Sequence, residues 1–153
     1  MELKQAQKLA ENTLCYFKPY VKRIEVVGSI RRECPEVNDI DIILIPNETF
    51  STAIQDLGKS IKKKGEKMIV YELLGVQYDL YICNEENWEV IKLIRTGSKE
   101  HNKMLCFKAI NKGLSIKAGG EGLVSKNGDI ISDTEFGILN FLLGKYIEPQ
   151  DRK

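Results

Sequence analysis

The sequence predicts an α+β fold in two parts, residues 1–84 and 85–153. Three patterns carry that expectation. Apolar residues first recur at helical spacing; they then give way to short β-type runs; and beyond Cys83 the pattern turns from strand back to helix. At 153 residues the chain is long enough for one core, or for two small lobes.

Leu3, Ala6, Leu9 or Ala10, Leu14 and Phe17 form one apolar stripe that Pro19 stops, so residues 3–18 are expected as an amphipathic helix. A strand over 24–27 closes at Gly28-Ser29, where the chain must turn. Residues 40–45 are isoleucine-rich and bounded by Asn38 and Pro46, which reads as a strand buried on at least one face. Thr49 or Ser51 then caps a second helix with Ile54, Leu57 and Ile61 on one face. The lysines at 62–64 read as its solvated end, where the helix dipole favours cations. Runs at 67–74 and 76–83, separated by Gly75, predict a hairpin.

In the second part Asn84 is expected to cap a helix whose buried body is Trp88, Val90, Ile91 and Ile94. Residues 95–102 read as a break, and 103–111 as a helix ending at Lys112-Gly113. A Lys-Asn-Gly-Asp turn at 126–129 suggests a small hairpin. Ser132-Asp-Thr-Glu135 has the form of a capping box for a last helix that stops at Gly144, and the tail from Tyr146 reads as a polar ending.

Hydrophobic content of 42% and charged content of 29% are ordinary for a soluble globular protein. No apolar run approaches the roughly 20 residues that cross a bilayer, and the N-terminus lacks a signal-peptide core. A cytoplasmic, non-secreted protein is therefore expected. Cys15, Cys34, Cys83 and Cys106 show no paired spacing, which favours reduced thiols over a zinc site. A net charge of +1 argues against a whole-surface polyanion binder. Between 95 and 117, however, Arg95, Lys99, Lys103, Lys108, Lys112 and Lys117 are opposed only by Glu100, a local footprint suited to a phosphate backbone.

The chemistry concentrates in residues 26–45. On a strand, residues two apart point the same way, so Asp39 and Asp41 share one face while Ile40 and Ile42 fill the other. Two adjacent carboxylates repel, and the arrangement makes most sense around a divalent cation. A Gly28-Ser29 turn opening a helix offers backbone N–H groups and a hydroxyl, with Arg31 and Arg32 close by, a corner suited to phosphate. Asp79 is the one acid in an apolar and aromatic run. If its strand lies beside that of Asp39 and Asp41, three carboxylates complete a site for two cations; otherwise Asp79 is an edge-strand acid facing water.

This combination resembles the polymerase-beta-like nucleotidyltransferase superfamily, and Gly-Ser-Ile-Arg-Arg followed by Asp-Ile-Asp is similar to the form in family X DNA polymerases. Thr96-Gly97-Ser98, Asn102 and the closing Tyr-Ile-Glu-Pro-Gln-Asp-Arg are similar to that family too. The resemblance implies a palm over 1–84 and a thumb-like lobe over 85–153. It assigns Asp39, Asp41 and Asp79 as metal ligands, with Asp79 also the candidate base for a primer 3′-hydroxyl. Gly28, Ser29, Arg32, Asn38, Arg95, Thr96, Gly97 and Asn102 are assigned to the nucleotide, and Lys99, Lys103 and Lys108 to DNA. The implied cofactor is a pair of Mg2+ ions, with Mn2+ as a substitute, about 3.5 to 4 Å apart. The implied partners are gapped or primer-template DNA and dNTP, without membrane, for a monomer that is cytoplasmic or associated with the nucleoid.

The sequence departs from the family in specific places. It has no room for an N-terminal lyase domain or helix-hairpin-helix elements, so 5′-phosphate anchoring and lyase activity are expected to be absent. Gln77 stands where the best-known members carry an arginine, Arg95 where they carry an aromatic, and Cys106 where some have a template-contacting arginine. The resemblance implies a DNA-directed DNA polymerase in gap-filling repair. Transfer to another acceptor (an RNA end, a protein or a small molecule) and a non-catalytic nucleic-acid clamp are the alternatives.

Overall fold

The computed structural model describes residues 1–153, which divide into two compact units, Met1–Asn84 and Glu85–Lys153. The fold is α+β, as the sequence predicts.

The first unit is a five-stranded mixed sheet. In chain order it comprises α1 (Leu3–Phe17), β1 (Val21–Val26), α2 (Gly28–Arg31), β2 (Ile40–Pro46), α3 (Phe50–Leu57), β3 (Ile61–Lys64), β4 (Met68–Leu73) and β5 (Val76–Ile82). The strand order is β1-β2-β5-β4-β3; β2 and β5 run parallel, and the other neighbours antiparallel. The α1 stripe is realised by Ala6, Ala10 and Phe17, which join Ile40, Ile42, Leu44, Tyr78 and Leu80 in one core. Each of those isoleucines and leucines is fully buried, worth roughly 1.5–3 kcal/mol of transfer free energy apiece. That burial fixes strand register. With Ile40, Ile42, Tyr78 and Leu80 turned to the helices, alternation turns Asp41, Asp79 and Tyr81 to the opposite face.

The second helix is shorter than expected. It stops at Leu57 because Gly58 adopts φ +49, a left-handed conformation that an L side chain resists. After one 3-10 turn the lysines of 62–64 lie on β3, paired with β4 at the sheet edge, not on a helix end. Their exposed charges protect that edge from pairing with another strand. The expected hairpin is β4–β5, joined by Leu74-Gly75 with positive φ at both residues.

The second unit contains α4 (Trp88–Thr96), α5 (Lys99–Asn111), a sheet of β6 (Leu114–Ile116), β7 (Leu123–Ser125) and β8 (Ile130–Ser132), and α6 (Glu135–Leu143). Its core is Val90, Leu93, Leu105, Ala109, Leu123, Ile138, Leu139 and Leu142, and Trp88 is buried as expected. Three local expectations are corrected. The residue before α4 is Asn87, not Asn84, and it makes no side-chain cap. The break between α4 and α5 is only Gly97-Ser98, so Lys99 to Asn102 are already helical, with Ser98 Oγ accepting from His101 N–H at 3.1 Å. The small hairpin expected about 126–129 does form, as β7–β8, and β6 adds a third strand to it. The cap of α6 is Thr134, whose Oγ1 accepts from Gly137 N–H at 3.0 Å, while Ser132 Oγ lies 3.4 Å from Thr134 N–H.

The tail also differs from a merely polar ending. Pro149–Asp151 form a 3-10 turn, and Arg152 is fully buried, its guanidinium 3.0 Å from the Glu135 carboxylate.

Candidate active site

Three elements of the first unit build the candidate site. The β1 strand ends at Val26, and Val27 N–H donates to the Asp41 carbonyl at 2.9 Å, bringing the start of α2 against β2. Gly28 then takes φ +64, and a Cβ on it would overlap Asp41 Oδ2. Only a residue without a side chain fits between the turn and this carboxylate. Gly28→Ala is thus expected to cost roughly 1–2 kcal/mol in backbone conformation alone, before the displacement of Asp41 is counted. A purified Gly28→Ala chain should show a lowered denaturation midpoint together with loss of whatever reaction Asp41 supports.

On the sheet itself, Asp41 and Asp79 stand directly opposite each other in the parallel β2–β5 register. Asp39 immediately precedes β2. It is partly exposed, whereas Asp79 is 7% exposed. The three carboxyls feel one another. Burial, then the charge of Asp79, raises the Asp41 pKa to about 7, with Asp39 adding to the rise and the Tyr81 hydroxyl and Arg32 opposing it. Burial and then Asp79 raise the Asp39 carboxyl as well. Such crowding of like charge at one place on a sheet costs stability in the absence of a counter-charge.

Ser29, Arg32, Cys34, Glu36, Asn38, Asp39 and Asp41 line one polar hollow of about 320 Å³. Five of the residues expected at the site therefore share a single depression. A larger hollow of about 390 Å³ lies on the helix-covered side, between Leu9, Tyr16, Leu57, Leu73 and Tyr78. It is apolar and remote from the carboxylates, and its size alone gives it no chemistry.

As the side chains stand, no three His, Cys, Asp or Glu residues form a ready metal cage, and Asp39, Asp41 and Asp79 are no exception. Two neutral donors occupy the strand carboxylates instead. Tyr81 OH donates to Asp41 Oδ1 at 3.3 Å, and Gln77 Nε2 donates to Asp79 Oδ1 at 2.9 Å. The sequence reading missed Tyr81 as a site residue. The signal was present, since Gln77, Asp79 and Tyr81 fall on one face by strand alternation. Replacing Tyr81 by Phe removes a bond that favours the ionised carboxylate, so the Asp41 pKa should rise further in Tyr81→Phe, measurable by NMR titration of the carboxyl carbon.

The remaining expected residues belong to the second unit. Thr96 is fully buried and its Oγ1 donates to Lys92 O at 2.6 Å, Gly97 is buried, and the Gly97–Ser98 peptide is cis. Asn102 Nδ2 donates to Ile94 O at 2.8 Å, which fixes its amide against α4. Arg95, Lys99, Lys103 and Lys108 are exposed.

Residues 92–153 match the family described as DNA polymerase beta thumb, which supports a family X polymerase-like relationship for the second unit. That match suits DNA binding; a thumb alone is not catalytic. No curated protein matches the chain. No helix is long and apolar enough to cross a membrane.

Proposed function

We propose that the chain is a nucleotidyltransferase of family X type, which adds a deoxynucleotide from dNTP to a DNA primer 3′-hydroxyl in gap-filling repair and releases pyrophosphate. The observation that supports it most is the pairing of Asp41 with Asp79 across β2 and β5, next to Asp39 and to the Gly28-Ser29 turn. Coupled carboxyls, one of them titrating near neutrality, form a donor set that suits divalent cations. Asp39, Asp41 and Asp79 would hold two Mg2+ ions, or Mn2+ in their place, which supply charge neutralisation at the triphosphate and acidification of the attacking hydroxyl.

The chain's own residues do the rest. Gly28 lets the backbone approach, while Ser29 and Arg32 grip phosphate oxygens in the polar hollow. Asp79 accepts the proton of the 3′-hydroxyl as that oxygen bonds to the α-phosphorus and the bond to pyrophosphate breaks. Asn38 lines the same hollow. Arg95 and Asn102 are the side chains proposed to meet the nucleotide from the second unit, where the buried Thr96 and Gly97 join α4 to α5, and Lys99, Lys103 and Lys108 those proposed for DNA.

Primer extension tests the proposal. Gapped DNA, blunt DNA, single-stranded DNA and RNA are each offered with labelled dNTP or NTP, and with Mg2+ or Mn2+ separately. The expected result is extension of gapped DNA by dNTP, lost in Asp41→Asn. Extension that survives the substitution refutes the metal assignment, and labelling of RNA alone moves the reading to another acceptor.

A further inference from the structure

The outer face of α5 combines two features that a folded surface rarely carries together. Phe107 is 64% exposed and Ile110 67% exposed, with the Cys106 thiol exposed beside them. The inner face of the same helix is already satisfied by Leu105 and Ala109 in the core. Lys99, Lys103, Phe107 and Ile110 are spaced four, four and three residues apart, which aligns them in one stripe along the helix. Lys99, Lys103 and Phe107 then follow one another at steps of about 6 Å along the axis. Exposed Lys108 adjoins the ring in sequence, and Glu100 is the only acid between 95 and 117.

An apolar patch alone does not choose its partner; this one is chosen by charge. A run of ammonium groups leading to an exposed phenyl ring suits a chain of phosphates carrying flat rings. Within a duplex each base is covered by its neighbours, so the phenyl face has nothing to take. An unpaired base leaves a π-face open. We infer that the Lys99–Lys103–Phe107 stripe of α5 is a binding surface for single-stranded nucleic acid, on which Phe107 stacks an unpaired base while Lys99 and Lys103 hold the adjoining phosphates. The inference rests on the reading of the second unit as a DNA-binding module and adds to it a preference for unpaired segments, such as those beside a gap.

Fluorescence anisotropy on the full chain tests it, in EDTA and without dNTP so that no transfer occurs. The probes are a short mixed-sequence DNA single strand and the blunt duplex made from it, each across a salt series. Phe107→Ala should weaken single-strand binding on the order of tenfold, leave duplex binding unchanged and leave the salt slope unchanged. Phe107→Tyr, which keeps a ring, should bind like the unaltered chain. Lys103→Ala should weaken both probes and reduce the single-strand slope by about 0.7. Equal losses on the two probes in Phe107→Ala, or no loss on either, overturn the stacking role. So does a dimer, seen by sedimentation, that Phe107→Ala dissolves, because the face would then belong to a second copy. A chain that binds single strands through Phe107 yet extends no primer overturns the polymerase reading and leaves this inference standing. A chain that binds neither probe overturns both.

Discussion

Asp41→Asn is expected to abolish the proposed nucleotidyl transfer and, at the same time, to make the cation-free protein more stable above about pH 7. The two effects have one cause. The Asp41 carboxyl is pushed up to about 7, first by burial and then by Asp79 across the strand pair. In the unfolded chain it titrates near its ordinary value of about 3.9. Between those limits the folded state binds more protons than the unfolded one, so stability falls as pH rises from about 4 to about 7 and stays low above it. The ionised group then opposes folding by on the order of 2–4 kcal/mol. An amide of the same shape removes that opposition and flattens the pH profile, and at about 2–4 °C per kcal/mol the thermal midpoint in EDTA should rise by several degrees. Catalysis moves the other way, because an amide cannot ligate a cation as a carboxylate does, and a loss of roughly 10²–10³-fold or more is expected. Mg2+ should raise the midpoint of the unaltered chain and leave that of Asp41→Asn nearly unmoved. An Asp41→Asn protein less stable than its parent in EDTA at about pH 8 would show that this carboxylate is satisfied without a cation, and the site would lose its main electrostatic argument.

How much of this was legible beforehand depended on whether the deciding contact was local. Strand alternation places Asp39 and Asp41 on one face and Ile40 and Ile42 on the other, and the same rule puts Gln77, Asp79 and Tyr81 together. Periodicity cannot say that β5 lies beside β2, because that parallel pairing crosses over α3, β3 and β4. It therefore entered as a condition, and the structure meets it. Ile61 followed by three lysines fits the end of an amphipathic helix as well as an edge strand, and the backbone at Gly58 decided between them. At the start of α6, Ser132 and Thr134 both carry hydroxyls able to cap, and the chain's path after β8 selected Thr134. Glu135 looked like the acid of a capping box, yet it is buried and bound to Arg152, seventeen residues away in sequence. No local pattern separates Arg152 from the solvated charges around it.

Substituting Arg152 alone by Met is expected to destabilise the second unit by about 3–5 kcal/mol, although only one of the last two residues of the sequence is changed. Glu135 is 4% exposed and Arg152 1% exposed. Arg152 Nη1 donates to Glu135 Oε2 at 3.0 Å and its Nε to the Ile147 carbonyl at 2.9 Å, while Tyr146 OH donates to Glu135 Oε1 at 3.2 Å. The guanidinium also lies 5.3 Å from the Tyr146 ring centroid, so the tail is held from several directions by one side chain. Removing that side chain leaves a carboxylate among apolar groups with its main counter-charge gone, which costs far more than the pair contributes. His101, buried and kept neutral by burial and by the Arg152 charge, cannot replace it without taking up a proton. Arg152→Met combined with Glu135→Leu removes both charges and should recover most of the loss, because a buried ion pair exchanged for apolar volume is close to neutral. Urea denaturation of the single and double variants measures both terms. A double variant no more stable than Arg152→Met would mean that Arg152 acts through its contacts with Ile147 and Tyr146, and the tail would then be fastened by those contacts and not by the ion pair with Glu135.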